Sequence, residues 1–203
     1  MDSGVRNTLL GIAAFISVIL GLLVASVMVP RPMTTEEAQK LGLYRFDAPR
    51  VINDFSMQDQ NGDPAGVDNL KGQWSILFFG FTTCPDICPT TLSVLADAVA
   101  DMEAPPQVVM VSVDPDRDSP EKLSQYVPAF NREFQGFVGS FDETVNFAQQ
   151  VNVAFGKVPG ETPGSYLVDH TGSLVLVDPE GRYAGFIKSP HNAQNIQKIV
   201  ATL

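Results

Sequence analysis

Cysteine and histidine are scarce in this 203-residue chain, which has only Cys84, Cys88, His170 and His191. Two thiols are too few for a disulfide-stapled scaffold, and a 44% hydrophobic content suits a packed interior instead. Basic clusters are missing as well. With 13 Lys and Arg against 23 Asp and Glu, a formal net charge of -10 and no basic run, the chain lacks what a phosphate backbone requires, so nucleic acid is excluded as a partner. Internal repeats and low-complexity tracts are absent too, which excludes a solenoid.

Charge is absent altogether from Thr8 to Val29. A helix of that length rises about 33 Å, enough to cross a hydrocarbon core of about 30 Å. The competing reading is a cleaved signal peptide, with Arg6 as its positive residue and Ala25 and Ser26 before the cut; the apolar stretch running on through Val29 favours a retained anchor. Arg6 and Arg31 flank the segment on either side and do not settle its orientation. Pro30 and Pro32 are expected to end the span, and the pair Glu36 and Glu37 to start a short helix in a tether. The expected division is an anchor over 1–30, a tether over 31–50 and a folded domain over 51–203.

Within that domain, Phe55 to Gln58 reads as a short strand before the Asn61-Gly62 turn. Trp74 to Phe81 and Val108 to Val113 are nearly continuous apolar runs, the pattern of strands buried on both faces. Leu92, Leu95, Val99 and Met102 recur at helical spacing, so a helix is expected to begin at the cysteine pair. Ser119-Pro120-Glu121 predicts a capped helix with Leu123 and Val127 inward, and Asp142 a further one with Val145, Ala148 and Val151 inward. Gly156 to Ser165 reads as a loop, and Leu174 to Val177 and Tyr183 to Ile187 as a hairpin around Asp178-Pro179-Glu180-Gly181. Ser189-Pro190 is expected to cap the last helix. Strands alternating with helices, then a hairpin before the final helix, imply an α/β sandwich with a mixed sheet.

Cys84 and Cys88 have three residues between them at a strand-to-helix junction. A structural disulfide closing so short a loop removes little unfolded-state entropy. Helix positions four apart also place Cβ atoms about 5–6 Å apart, wider than the roughly 3.5–4.5 Å of a disulfide. Two thiolates on one helical face suit a shared metal ion better, and a helix N-terminus is expected to lower their pKa. Asp86 between them either favours a bound cation or complements the helix dipole. A metal needs further ligands, and the histidines are the candidates. His191 reads as an exposed surface residue, while His170 is equally consistent with a ligand and with a hydrogen-bonded histidine. Residue types alone also admit zinc. Asp114, Asp116 and Asp118 alternate as in a calcium loop, but Ser119 replaces the required Gly and Gln125 the bidentate Glu, so a tight turn compensated by Arg117 is expected. Met33, Met57 and Met110 read as core filler rather than thioether ligands.

Three blocks carry a resemblance. Phe79-Gly80-Phe81-Thr82-Thr83-Cys84-Pro85-Asp86-Ile87-Cys88-Pro89, Ser112-Val113-Asp114-Pro115-Asp116-Arg117-Asp118-Ser119-Pro120 and Tyr166-Leu167-Val168-Asp169-His170-Thr171 resemble, in order, the Sco/SenC family of copper chaperones. The likeness runs from about Phe55 to the C-terminus. It implies a thioredoxin-like fold with an inserted hairpin, which here would follow the one expected N-terminal transmembrane helix, and one copper ion, Cu(I) or Cu(II), on Cys84, Cys88 and His170. In thioredoxin-like reductases a cis-proline occupies the place that His170 takes here. The resemblance further implies delivery to the dinuclear copper centre of cytochrome c oxidase subunit II, with the domain facing the periplasm; an upstream copper donor is expected, and the lack of an Arg-rich transit segment fits a single-pass bacterial inner-membrane protein better than a mitochondrial one. Two alternatives remain: a thiol-disulfide oxidoreductase using Cys84 and Cys88 on the recipient's cysteines, alone or alongside copper delivery, and a copper or redox sensor.

Overall fold

The computed structural model describes residues 2–28, 33–160, 162 and 165–203, and of residues 25–28 the backbone alone. The chain divides into two compact units, Met1–Thr34 and Thr35–Leu203. The first is helix α1, Ser3–Met28, whose stretch Ser3–Val24 is long and apolar enough to cross a membrane. Its large side chains, such as Leu10, Phe15 and Leu22, are exposed. The expected stop at Pro30 and Pro32, with Val29 and Arg31, lies outside the described residues.

The second unit begins with α2, Thr35–Lys40, whose first turn carries Glu36 and Glu37 and whose last carries Lys40, in keeping with the helix dipole. Strand β1 follows at Leu43–Val51 and pairs antiparallel with β10, Arg182–Ile187. The segment expected to be a tether is therefore part of the sheet. Leu43 is buried, which fixes this edge strand to the core although most of its residues face solvent. Its apolar residues Leu43, Phe46, Ala48 and Val51 follow no strict two-residue alternation, so no strand pattern marks the run.

Strands β2, Met57–Asp59, and β3, Pro64–Ala65, form the hairpin expected at Asn61-Gly62, where Gly62 adopts φ +85°. Strand β4, Ser75–Gly80, is buried at every position, as is β5, Gln107–Ser112; the two pair in parallel and are joined by helix α3, Ile87–Val99. Burying Ile76, Leu77, Phe78 and Phe79 contributes about 1.5–3 kcal/mol each. Helix α4, Pro120–Tyr126, leads to β6, Gln135–Val138, parallel to β5. Its cap is Ser119, whose hydroxyl accepts from the Lys122 N–H, and Leu123 and Val127 are buried as expected.

Helix α5, Phe141–Gln150, differs from expectation by its start: Ser140, not Asp142, is the cap, and accepts from the Glu143 N–H. The inward face is consequently Thr144, Phe147, Ala148 and Val151, with Val145 only half-buried. The start of the stretch read as a loop, Gly156 to Pro159, is strand instead. Strand β7, Phe155–Pro159, pairs antiparallel with β8, Tyr166–His170, in a two-stranded ribbon separate from the main sheet. Strand β9, Leu174–Val177, returns to the main sheet beside β4, and β10 completes the expected hairpin. The order is β1-β10-β9-β4-β5-β6-β2-β3, with parallel and antiparallel neighbours. Helix α6, Ala193–Val200, packs on α3. Its cap is Asn192, accepting from the Asn195 N–H, not Ser189-Pro190, whose peptide bond is cis.

Candidate metal centre

Cys84 and Cys88 sit where buried β4 ends and α3 begins. The helix starts at Ile87 with Asp86 as N-cap, so only Cys88 is helical, and Cys84 lies in the preceding turn with its N–H on the Phe81 carbonyl. This departs from two cysteines on one helical face. The turn nevertheless brings them together, because the Cys88 N–H donates to Cys84 Sγ at 3.4 Å. Asp86 is exposed and its carboxylate makes no capping bond. Both cysteines are unbridged, Cys88 fully buried and Cys84 partly so. Burial pushes the Cys88 thiol well above its usual range, with a hydrogen bond to Cys84 adding to the rise. The expected lowering at a helix N-terminus is overridden here, since desolvation of a buried thiolate outweighs the dipole.

Gly80 makes room for that burial. A Cβ there would stand 3.1 Å from Cys88 Sγ and 2.5 Å from the Phe78 ring, a separation real Cβ atoms do not tolerate. The site wall is aromatic: Phe78 and Phe81 present edge-on contacts to the His170 ring, with centroids 5.9 and 6.1 Å away.

His170 comes in from the end of β8, 82 positions further along the chain, and places Nε2 3.7 Å from Cys88 Sγ. Its Nδ1–H donates to the Thr171 carbonyl at 3.2 Å, which leaves the Nε2 lone pair facing the sulfur. Burial lowers the His170 pKa, which favours the neutral ring, the form able to ligate a metal. Bonds of about 2.3 Å to a thiolate and about 2.0 Å to an imidazole, at tetrahedral to trigonal angles, span about 3.5–3.7 Å between sulfur and nitrogen. The Cys88–His170 pair meets that requirement. A closed cage is not formed: no group of three His, Cys, Asp or Glu among the described residues is arranged around one point.

His191 is not the exposed residue expected. It is half-buried, its Nε2–H donates to the Gly172 carbonyl at 2.7 Å, its Nδ1 is buried without a partner, and burial lowers its pKa. Met57 and Met110 are core residues as expected. The three aspartates diverge rather than converge on an ion. Asp114 pairs with Arg117, Asp116 with Lys157, and Asp118 accepts from Thr82 and Ser112. Sequence reasoning did not find Gly80 or this aspartate loop as parts of the site. Their partners are distant along the chain, and only the three-block pattern hinted that they belong together.

Comparison with known proteins places these features in a family context. The SCO1/SenC family model matches residues 45–203. The chain is 38% identical over 156 residues to a Stutzerimonas stutzeri protein whose name describes it as copper-binding, covering 74% of this chain and 76% of that protein. It is 33% identical over 148 residues to the mitochondrial protein SCO2 homolog of Mus musculus, covering 70% of this chain and 58% of the relative. The chain thus spans little more than half the length of that mitochondrial relative. Among solved structures, Arabidopsis thaliana ScoI with copper bound superposes with a TM-score of 0.68 at 34% identity, covering 73% of this chain and 94% of that one. The second unit is accordingly thioredoxin-like.

Proposed function

Because this chain belongs to the SCO1/SenC family, whose members include proteins solved with copper bound, we propose that it binds one copper ion through Cys84, Cys88 and His170 and delivers it to the dinuclear copper centre of cytochrome c oxidase subunit II. The observation that carries the reading is the 3.7 Å approach of His170 Nε2 to Cys88 Sγ, across 82 positions of sequence. Thiolates suit Cu(I) and imidazole suits either oxidation state. Copper arrives as cargo at the Cys88–His170 pair, Cys84 is drawn in to complete the set, and both thiols lose their protons on binding. Three ligands leave the ion accessible, so the recipient's ligands enter as these leave. Helix α1 holds the domain at the bacterial inner membrane as a single span, with the copper site in the periplasm and an upstream donor supplying the ion.

The test is copper titration of the reduced full-length chain in detergent. One equivalent is expected, with both sulfurs and one imidazole in the absorption and magnetic spectra; an unchanged affinity in His170→Ala would sink the three-ligand site.

A second reading is favoured by the asymmetry of the cysteines, one partly exposed and one buried. Cys84 as thiolate would attack a recipient disulfide, and Cys88 would then resolve the mixed disulfide, leaving a Cys84–Cys88 bridge and two recipient thiols. An external thiol reductant would reset the pair. This activity survives in His170→Ala, whereas tight copper binding does not, which separates the two roles.

A further inference from the structure

His170 ends a ribbon that shares no backbone ladder with the main sheet among the described residues. Within β8 only Val168 is buried, with Tyr166 and, on β7, Phe155 packed half-buried against the core. The loop between β5 and α4 adds polar ties. On one side, Asp118 accepts from the Thr82 N–H at 3.2 Å and its hydroxyl at 2.5 Å, two residues before Cys84, and from Ser112 Oγ at 2.6 Å. On the other, fully buried Asp114 accepts from the Tyr166 hydroxyl at 2.8 Å and pairs with Arg117.

Arg117 joins the two sides. Its Nη1 donates to the Tyr166 carbonyl at 3.1 Å, and the guanidinium lies 4.0 Å over the Tyr166 ring and 5.6 Å over the Phe81 ring. Lys157 of β7 pairs with Asp116 at the exposed rim. Arg117 Nη2 is buried without a partner, a cost that formation of a turn alone would not require.

The geometry points to Arg117, Asp114 and Tyr166 as positioning residues for copper binding: a clasp that ties the histidine ribbon to the cysteine loop and holds His170 Nε2 3.7 Å from Cys88 Sγ, the span of two ligands on one ion. The clasp rests on the three-ligand reading of the site. With it released, the ribbon no longer fixes the imidazole, and copper is left to the two sulfurs. Arg suits the task because its planar fork donates to Asp114 and to the Tyr166 carbonyl at once while lying over both rings, whereas the Lys157 ammonium lies over Tyr166.

The experiment compares Tyr166→Phe, Arg117→Met and Arg117→Lys with the unaltered full-length chain in detergent, and with His170→Ala as reference. It reads Cu(I) affinity by chelator competition, nitrogen coupling in the Cu(II) magnetic spectrum, and the copper-free unfolding midpoint. Tyr166→Phe and Arg117→Met are expected to lose about 10- to 100-fold in affinity, as for other outer-shell partners of a ligand. Their nitrogen coupling weakens toward that of His170→Ala, while the midpoint of Tyr166→Phe, which lacks one hydroxyl only, stays near that of the parent. Arg117→Lys is expected to fail to rescue. Native affinity and coupling in folded Tyr166→Phe overturn the clasp, and so does full recovery in Arg117→Lys, which would reduce the role to charge. Should Arg117→Met not fold, Tyr166→Phe decides. Native affinity in His170→Ala would instead overturn the ligand set itself.

Discussion

At the scale of single residues, the centre is a sulfur buried against a strand, and Gly80 sets how closely it can approach. Placing a methyl group 3.1 Å from Cys88 Sγ forces the sulfur and the Phe78 ring apart. Gly80→Ala is expected to cost about 1–3 kcal/mol of stability, as overpacking does, and to weaken copper binding as well, because the same displacement moves Cys88 relative to His170. Denaturant unfolding and chelator competition on one variant check both effects; a stable, fully copper-competent protein would contradict the crowding argument. His191 gives a pH prediction. Its folded pKa lies below the ordinary imidazole value, so the unfolded chain takes up a proton that the folded one resists. Its contribution is therefore complete above about pH 6.5 and is lost as pH falls below that value toward the lower folded pKa. The unfolding midpoint should fall more steeply between about pH 7 and 5 than in His191→Gln, whose amide still reaches the Gly172 carbonyl without titrating there. The cysteines and His170 were legible as residues because a three-block pattern carried them. The environment of His191 was not, since its acceptor is 19 positions away and helix periodicity says nothing about it.

At the scale of elements, the strands buried on both faces were readable from their continuous apolar runs, whereas the β7–β8 ribbon was not. Its residues are mostly exposed on both faces, so no alternation marks it, and Gly and Pro near the turn suggest a loop. What orders it is backbone pairing in the register Phe155 with His170 through Pro159 with Tyr166. A two-stranded ribbon is marginal alone, so its opening should be easier than that of the main sheet. Amides of β7 and β8 are expected to exchange with solvent faster than those of β4 and β5 in the copper-free chain. Copper should slow exchange selectively in β8, because an ion on His170 ties the ribbon to α3 through Cys88. Mass-spectrometric hydrogen exchange on the full chain reads both; a ribbon as protected as β4 before copper is added would contradict its being the easier element to open.

At the scale of the whole molecule, the two units meet solvent differently: α1 exposes an apolar surface suited to lipid, and residues from Thr35 onward enclose a core of their own. Where that second unit begins has a measurable consequence. Starting the chain at Val51 would discard α2 and most of β1, leave the outer edge of β10 without its antiparallel partner, and empty the space filled by Leu43, which is 2% exposed. Leaving the pocket of one buried leucine empty already costs about 2–5 kcal/mol, comparable to much of the stability of an ordinary domain, and an unpaired sheet edge invites association with other chains. A chain starting at Thr35 is therefore expected to unfold cooperatively and remain monomeric, and one starting at Val51 to unfold at markedly lower denaturant and to aggregate. The apolar span is absent from both, so the difference between them isolates β1. Equal stability of the two would mean that this strand is a tether resting on the sheet rather than a part of it.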